Sequence, residues 1–380
     1  MPGLPPYVQF TEFKVSEPAS LEGTLSVNTL LNNAEHLFSG KIHGPEAFVD
    51  FDGVLYSGIH GGEIVKFVDG KVIPVTKFGK SCNGFLDEKN CGRPLGMNFG
   101  PDGFLYVADA YNGIYKVDVK TGSKTQLVAI DEIIEDKVNK LPNSVDVAAD
   151  GTVYWSVSST NFFLQDGVFD ALADGSGRLI RYDPVTKKNE ILIEGLHFAN
   201  GVALSPNEEY ILVGETMRSR IHRYYLKGPK KGERDVFIDG LPGVPDNIKS
   251  DGQGGFYVPL VVVRDKNNPL LFQSLGPFPA VRRFISRVLA LLEIGFEQID
   301  QIYPNYFSKK AIHWIGHFES MSTLNPKGFI LLQLDADGNI KHSFHNTDKS
   351  LSGISEAHWF NGAFYFGSPF NTYVGRVKLL

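Results

Sequence analysis

The chain has 380 residues, 42% of them hydrophobic and 21% charged, with a formal net charge of −6. That composition is globular rather than disordered, and an acidic balance without a basic tract excludes a nucleic-acid-binding surface. No run of about 18 uncharged apolar residues is present to cross a bilayer as a helix.

The opening residues, Met1-Pro2-Gly3-Leu4-Pro5-Pro6, contain neither the basic nor the apolar segment of a signal peptide. A truncated ectodomain and a form without an anchor are both open readings. Residues 26–38, VNTLLNNAEHLFS, space Leu30, Ala34 and Leu37 as on a helix, which predicts a short helix within an N-terminal extension over 1–40. From there a unit repeats: a short turn followed by an aromatic or aliphatic strand. It reads FDGVLYSG (51–58), PDGFLYVAD (101–109), ADGTVYWS (149–156), PNEEYILVGE (206–215), GQGGFYVP (252–259) and FNGAFYFGS (360–368). With Tyr56, Tyr106, Tyr154, Leu212, Tyr257 and Tyr365 taken as equivalent, the steps are 50, 48, 58, 45 and 108 residues. Most units continue into a second strand of matching type, such as NGIYKVD or SRIHRYY. The spacing fits four-stranded blades and predicts an all-β, six-bladed β-propeller over 41–380, closed by a strand from the N-terminal region. A β-sandwich with strands at similar spacing explains the fixed relation of turn to aromatic strand less well.

Between the first two units, Cys82 and Cys91 stand in SCNGFLDEKNCGRP. Eight intervening residues with Gly and Asn can close a disulfide, while a pair of reduced cytosolic thiols is the other reading. No second Cys/His pair lies nearby to complete a zinc site. The long final step predicts an insertion at about 261–325. Within it, residues 281–292 set Val281, Phe284, Ile285, Val288, Leu289 and Leu292 opposite Arg282, Arg283 and Arg287. A lid over the channel, a peripheral membrane contact through 281–292 and a cap on blade edges are the open roles for this helix.

Inner strands of a propeller converge on its axis, so equivalent positions should meet there. Glu46 lies 10 residues before Tyr56, Asn143 lies 11 before Tyr154, Asn200 lies 12 before Leu212 and Asp246 lies 11 before Tyr257. Each alone is an ordinary turn former. Together they send two carboxylates and two amide carbonyls toward one point, a hard oxygen set suited to calcium, and no His or Cys occupies these offsets to favour zinc.

The segments AEHLFSGKIHGPE, CGRPLGM, YVADAYNGIYKVD, FANGVALSP, VGETMRSRIHRYY, PGVPDNI and GISEAHWFNGAFYFGS resemble the strictosidine synthase-like calcium propellers, nearest to their adipocyte plasma membrane-associated group. Paraoxonases and gluconolactonase-type lactonases are similar at greater distance. The resemblance implies a six-bladed propeller with catalytic calcium held at Glu46, Asn143, Asn200 and Asp246, with Asn247 matching a further residue around the ion. It also implies a Cys82–Cys91 disulfide and an extracellular or lumenal, membrane-associated setting. The pattern departs from the paraoxonases at Asn143-Ser144, where they have Asn-Asp. It departs again at Arg93-Pro94-Leu95-Gly96, which stands where their His pair is expected. The catalytic Glu of strictosidine synthase falls near Glu356, in a register ambiguous by one residue, so a Pictet–Spengler condensation is not supported.

The expected function is therefore a calcium-dependent hydrolase of small-molecule esters or lactones (arylesterase or lactonase type). Asp246 would hold the ion and orient or deprotonate water, with Glu356 and His358 as candidate rim groups. The other reading is a binding or surface propeller whose calcium is structural. The residues give no oligomeric state and no substrate identity.

Overall fold

The computed structural model describes residues 3–82, 84–323 and 328–379. Two-residue turns set the local structure. Asp52-Gly53, Asp69-Gly70 and Asn361-Gly362 each take positive φ at both positions. They join strands paired as Phe51 with Val54, Val68 with Lys71 and Phe360 with Ala363. Such turns match the twist of the flanking strands, and Asx-Gly adopts them with little strain.

Among the described residues the hairpins build six antiparallel sheets of four or five strands, beside a two-stranded ribbon of Ile133–Ile134 and Lys137–Val138. The first contains Phe48–Phe51, Val54–Ile59, Glu63–Val68 and Lys71–Lys77. The second contains Pro94–Phe99, Leu105–Asp109, Gly113–Val117 and Lys124–Ala129. The third contains Pro142–Val147, Val153–Val157, Gly177–Asp183 and Lys188–Leu196. The fourth contains Ala199–Leu204, Tyr210–Glu215, Arg220–Tyr225 and Arg234–Ile238. In the fifth, Gly243–Pro245 and Lys249–Ser250 both pair with Phe256–Val263, followed by Phe329–Leu334 and Ile340–Asn346. The sixth joins Glu356–Phe360, Ala363–Gly367 and Val374–Val377 to Glu35–Leu37.

The sheets touch in a closed cycle, through their inner strands except where Phe256–Val263 of the fifth meets Glu356–Phe360 of the sixth, and the sixth meets the first. The apolar core is divided accordingly. Tyr56, Tyr106, Tyr154, Leu212, Tyr257 and Tyr365, the repeat positions of the sequence, each fall in a different inter-sheet cluster. A large side chain buried in this way contributes about 1.5–3 kcal/mol. Sheets stacked edge-on in a ring around an axis form a β-propeller.

Closure uses the N-terminal region as expected, with Glu35, His36 and Leu37 pairing with Arg376, Gly375 and Val374. The helix expected over 26–38 is not there. Asn33 and Phe38 take positive φ, which breaks a right-handed helix, and the free edge of the sixth sheet claims Glu35–Leu37 as a strand. Among the described residues of the extension over 1–40, the only helical element is the 3-10 turn Gly23–Leu25.

Two short helices, α1 (Glu88–Cys91) and α2 (Gly167–Leu172), lie in connections of the ring. The insertion leaves the fifth sheet after Val263 and returns at Phe329; positions 324–325 of the expected span lie outside the described residues. It carries α3 (Leu271–Ser274), α4 (Pro279–Ile302) and α5 (Tyr306–Gly316). Pro279 starts α4, and the Asn305 side chain caps α5 by accepting from the N–H groups of Phe307 and Ser308. Both helices pack on α2. Cys82 and Cys91 form a disulfide.

Candidate metal centre

The first strands of the second to fifth sheets are irregular at one shared place. Their pairing shifts between Pro94 and Met97, Pro142 and Val145, Ala199 and Val202, and Val244 and Pro245. A bulge of this kind re-aims a side chain, and here it selects Leu95, Asn143, Asn200 and the start of Asp246-Asn247. Glu46 precedes the first strand of the first sheet. Adjacent sheets approach closely at this level. The Gly201 N–H donates to the Asp246 carbonyl at 3.2 Å, and a Cβ on Gly201 would stand 2.5 Å from that oxygen.

Glu46, Asn143, Asn200 and Asp246 line one cavity of about 430 Å³ and are all nearly buried. Asn247, 2% exposed, does not line it; its amide donates to Glu46 Oε1 at 3.2 Å. Asn143 Nδ2 donates to Ser158 Oγ at 3.0 Å, and Ser158 donates to the Ala199 carbonyl at 2.7 Å. That relay spends the Asn143 amide nitrogen and leaves its oxygen. The Asn200 side chain hydrogen-bonds the Asp246 carboxylate. Glu46 Oε2, Asn143 Oδ1 and Asn200 Oδ1 are buried with no hydrogen-bond partner among the described residues. Burial pushes Asp246 well above the usual carboxylate range, and the neighbouring Glu46 charge pushes it further. Burial also raises Glu46, against the Arg93 charge. Leaving a buried acceptor unpaired costs about 1–3 kcal/mol, so these three, one of them on a carboxylate, together with the Asp246 carboxylate fit a hard divalent cation.

Sequence reasoning missed a second group on the same cavity: His60, Glu88, Arg93 and His317. Glu88 Oε1 meets His60 Nδ1 at 2.5 Å and Arg93 Nε at 3.6 Å, while Oε2 lies 3.7 Å from His317 Nε2. Burial alone would raise Glu88, but the His60 charge, hydrogen bonds from His317 and His60, and Arg93 hold it well below the usual range. Burial and Arg93 lower His60. Yet its other nitrogen faces the Pro369 carbonyl at 2.8 Å, an arrangement only the doubly protonated ring completes. We therefore read the pair as imidazolium against carboxylate. His317 Nδ1 accepts the Glu319 N–H at 3.2 Å, which directs its Nε2 proton toward Glu88. A histidine pair thus does border the cavity, from the end of a first-sheet strand and from the end of α5 rather than from 93–96. The His-x-x-x-His spacing at 313 and 317 was the available signal.

Glu356 and His358 are not rim groups. Glu356 is fully buried, 3.9 Å from Lys249 Nζ, and pushed up to about 8 chiefly by burial. His358 Nε2 pairs with Asp50 Oδ1 at 2.8 Å, and neither residue lines the cavity. The remaining walls are mostly apolar, with Leu95, Phe198, Val244 and Val261 below and Phe272, Phe318 and Met321 from the insertion. A polar floor under apolar walls is the usual form of a small-molecule site.

Two family models match the chain: strictosidine synthase over residues 143–229, and strictosidine synthase-like, N-terminal, over residues 23–67. Adipocyte plasma membrane-associated protein Hemomucin of Drosophila melanogaster is 43% identical over all of this chain, which spans 66% of that protein's length. Adipocyte plasma membrane-associated protein of Gallus gallus is 36% identical over 96% of this chain and 82% of its own. Among solved structures, a gluconolactonase of Xanthomonas campestris superposes with a TM-score of 0.57 at 14% identity, covering 99% of this chain and 98% of that one. A calcium-binding regucalcin of Agrobacterium tumefaciens gives 0.56 at 11% identity, covering 93% and 96%. Among the described residues no helix is long and apolar enough to cross a membrane.

Proposed function

The chain belongs to the adipocyte plasma membrane-associated protein family of strictosidine synthase-like proteins, and from that premise we propose a six-bladed propeller that holds calcium on its axis and hydrolyses esters or lactones. The carrying observation is the set of buried, unpaired oxygens on Glu46, Asn143 and Asn200 beside Asp246. These four residues hold the ion in this reading, and Asn247 fixes Glu46 from behind. Bound calcium supplies Lewis-acid polarisation of the substrate carbonyl and charge for the developing oxyanion. Asp246 orients the attacking water and accepts its proton. The apolar walls exclude bulk water and seat the ester's hydrocarbon part, and proteins of this fold include a gluconolactonase and a calcium-binding regucalcin.

One observation favours the second reading, a binding propeller with structural calcium. Both nitrogens of His60 are engaged, and His317 presents its proton toward Glu88, so neither histidine offers a base to substrate. The deciding experiment measures hydrolysis of a panel of aryl esters and lactones with calcium and with chelator, alongside Asp246→Asn and melting temperatures. The hydrolase reading expects turnover that falls about 100-fold or more in the folded variant. A chelator that lowers the melting temperature, with no turnover on any substrate, assigns calcium a structural role.

A further inference from the structure

Helix α4 is amphipathic in the reverse sense. Its buried residues are Arg282, Ser286, Ala290 and Glu293, spaced by four, four and three so that they form one stripe. Arg282 is fully buried, with Nη1 donating to the Leu172 carbonyl at 2.6 Å, Nη2 donating to the Thr11 carbonyl, and Asp174 3.6 Å away. The opposite face carries Val281, Phe284, Val288, Leu291 and Leu292, all between 41% and 63% exposed. A helix on a protein surface normally turns this apolar stripe to the core.

The exposure extends along the whole helical pair. Of 21 exposed large hydrophobic side chains among the described residues, 12 fall between residues 278 and 314. That segment is 37 residues of 380, so the patch is concentrated far beyond scattered surface exposure. Apart from the buried Arg282 and Glu293, residues 279–316 carry four Lys and Arg against two Asp and Glu, although the chain as a whole is at −6. Tyr303, Tyr306 and Trp314 lie at the α4–α5 turn and on α5, exposed with the rest. An apolar stripe flanked by basic side chains and amphipathic aromatics matches the layered chemistry of a lipid surface: hydrocarbon, interface and anionic headgroup.

We propose that the outer face of α4 and α5 docks on a phospholipid bilayer, lying in the interface plane with Phe284, Leu291 and Leu292 inserted. The buried Arg282 fixes the rotation of α4, so the apolar face stays outward without a conformational change. The contact is independent of the cation and of the chemistry in the cavity.

The test is co-sedimentation of the full chain with vesicles of phosphatidylcholine alone and with about 30% phosphatidylserine. Trp314 emission is followed in parallel, with Trp314→Phe identifying its signal. Binding to the anionic vesicles with a blue shift is expected. Phe284→Asp combined with Leu291→Asp should lower partitioning about 100-fold. Val185→Asp, at a residue 88% exposed elsewhere, should leave partitioning unchanged, and all variants should melt alike. Binding that ignores the double variant and vanishes in high salt overturns the insertion. So does failure to bind either vesicle, and a concentration-dependent dimer in that case assigns the face to a second copy of the chain.

Discussion

The centre of the ring and the outer face of the insertion violate the same rule from opposite sides. At the centre, acceptor oxygens of Glu46, Asn143 and Asn200 are buried without a donor. On α4, Phe284 and Leu292 are exposed while Arg282 is buried. Ordinary apolar exposure carries little information, but a buried polar group without a partner and a large exposed apolar patch both do. The inter-sheet clusters holding Tyr56 and Tyr154 show neither violation, and those packing regions are complete within the chain itself. In the readings proposed above, the two anomalous regions are completed by something outside the chain: a cation in one case, a lipid surface in the other.

Glu46→Gln tests the first half of the comparison and should give the largest effect. Glu46 and Asp246 are both buried, burial raises the cost of ionising each, and the Glu46 charge raises that of Asp246 further. Removing one charge should raise the melting temperature in chelator and weaken calcium binding about 100-fold or more, so the gap between the two conditions shrinks or inverts. Calorimetric titration with calcium and thermal melts measure both arms. A variant less stable in chelator than the parent would mean that Glu46 needs no cation to be accommodated.

Much of this was legible in the sequence, and the failures have physical causes. The Asx-Gly turns announce hairpins because few other residues take two successive positive φ values, and the repeated aromatic follows at fixed distance. Asn143, Asn200 and Asp246 were found by offset because the bulge recurs in the first strands of the third to fifth sheets, and Glu46 shares the offset from just before the first strand of the first sheet. Asn247 follows Asp246 directly in the gap between Gly243–Pro245 and Lys249–Ser250, where its amide turns to Glu46 instead of lining the cavity. Glu356 shows the same hazard, since a one-residue register difference decides between channel and interior. The helix expected over 26–38 failed because spacing alone could not reveal the sheet edge waiting for Glu35–Leu37. His60, Glu88 and His317 come from three unrelated segments, and no local pattern brings them together.

The Cys82–Cys91 disulfide sharpens the comparison because the loop it closes reaches the cavity through Glu88 without contributing to the proposed ligand set. It closes a loop with a sequence separation of 9 that includes α1 and Glu88. Replacing both cysteines by alanine should cost about 2–3 kcal/mol for a loop of that length, read from denaturant melts. The increase in stability on adding calcium should persist, since the four oxygen residues lie elsewhere. Its loss in the double variant would tie the ion to α1 and Glu88.

Glu293 tests the insertion side, with the smallest effect. It lies in the buried stripe of α4 and is pushed up to about 8, first by burial and then by the charges of Asp166 and Glu297. A carboxyl whose folded pKa lies above its unfolded value of 4.5 contributes stability that is complete below that value. The contribution is lost as pH rises from there through about 8, where the folded state must bury the charge. Glu293→Gln keeps the shape and cannot ionise. The variant should match the parent near pH 5 and melt higher above pH 8, by about 2 °C or more. Vesicle binding should stay the same, because Glu293 faces the protein and not the outer stripe. An equal difference at both pH values would show that Glu293 does not change its charge across this range. A change in vesicle binding would show that α4 rotates when this contact is altered, which Arg282 is positioned to prevent.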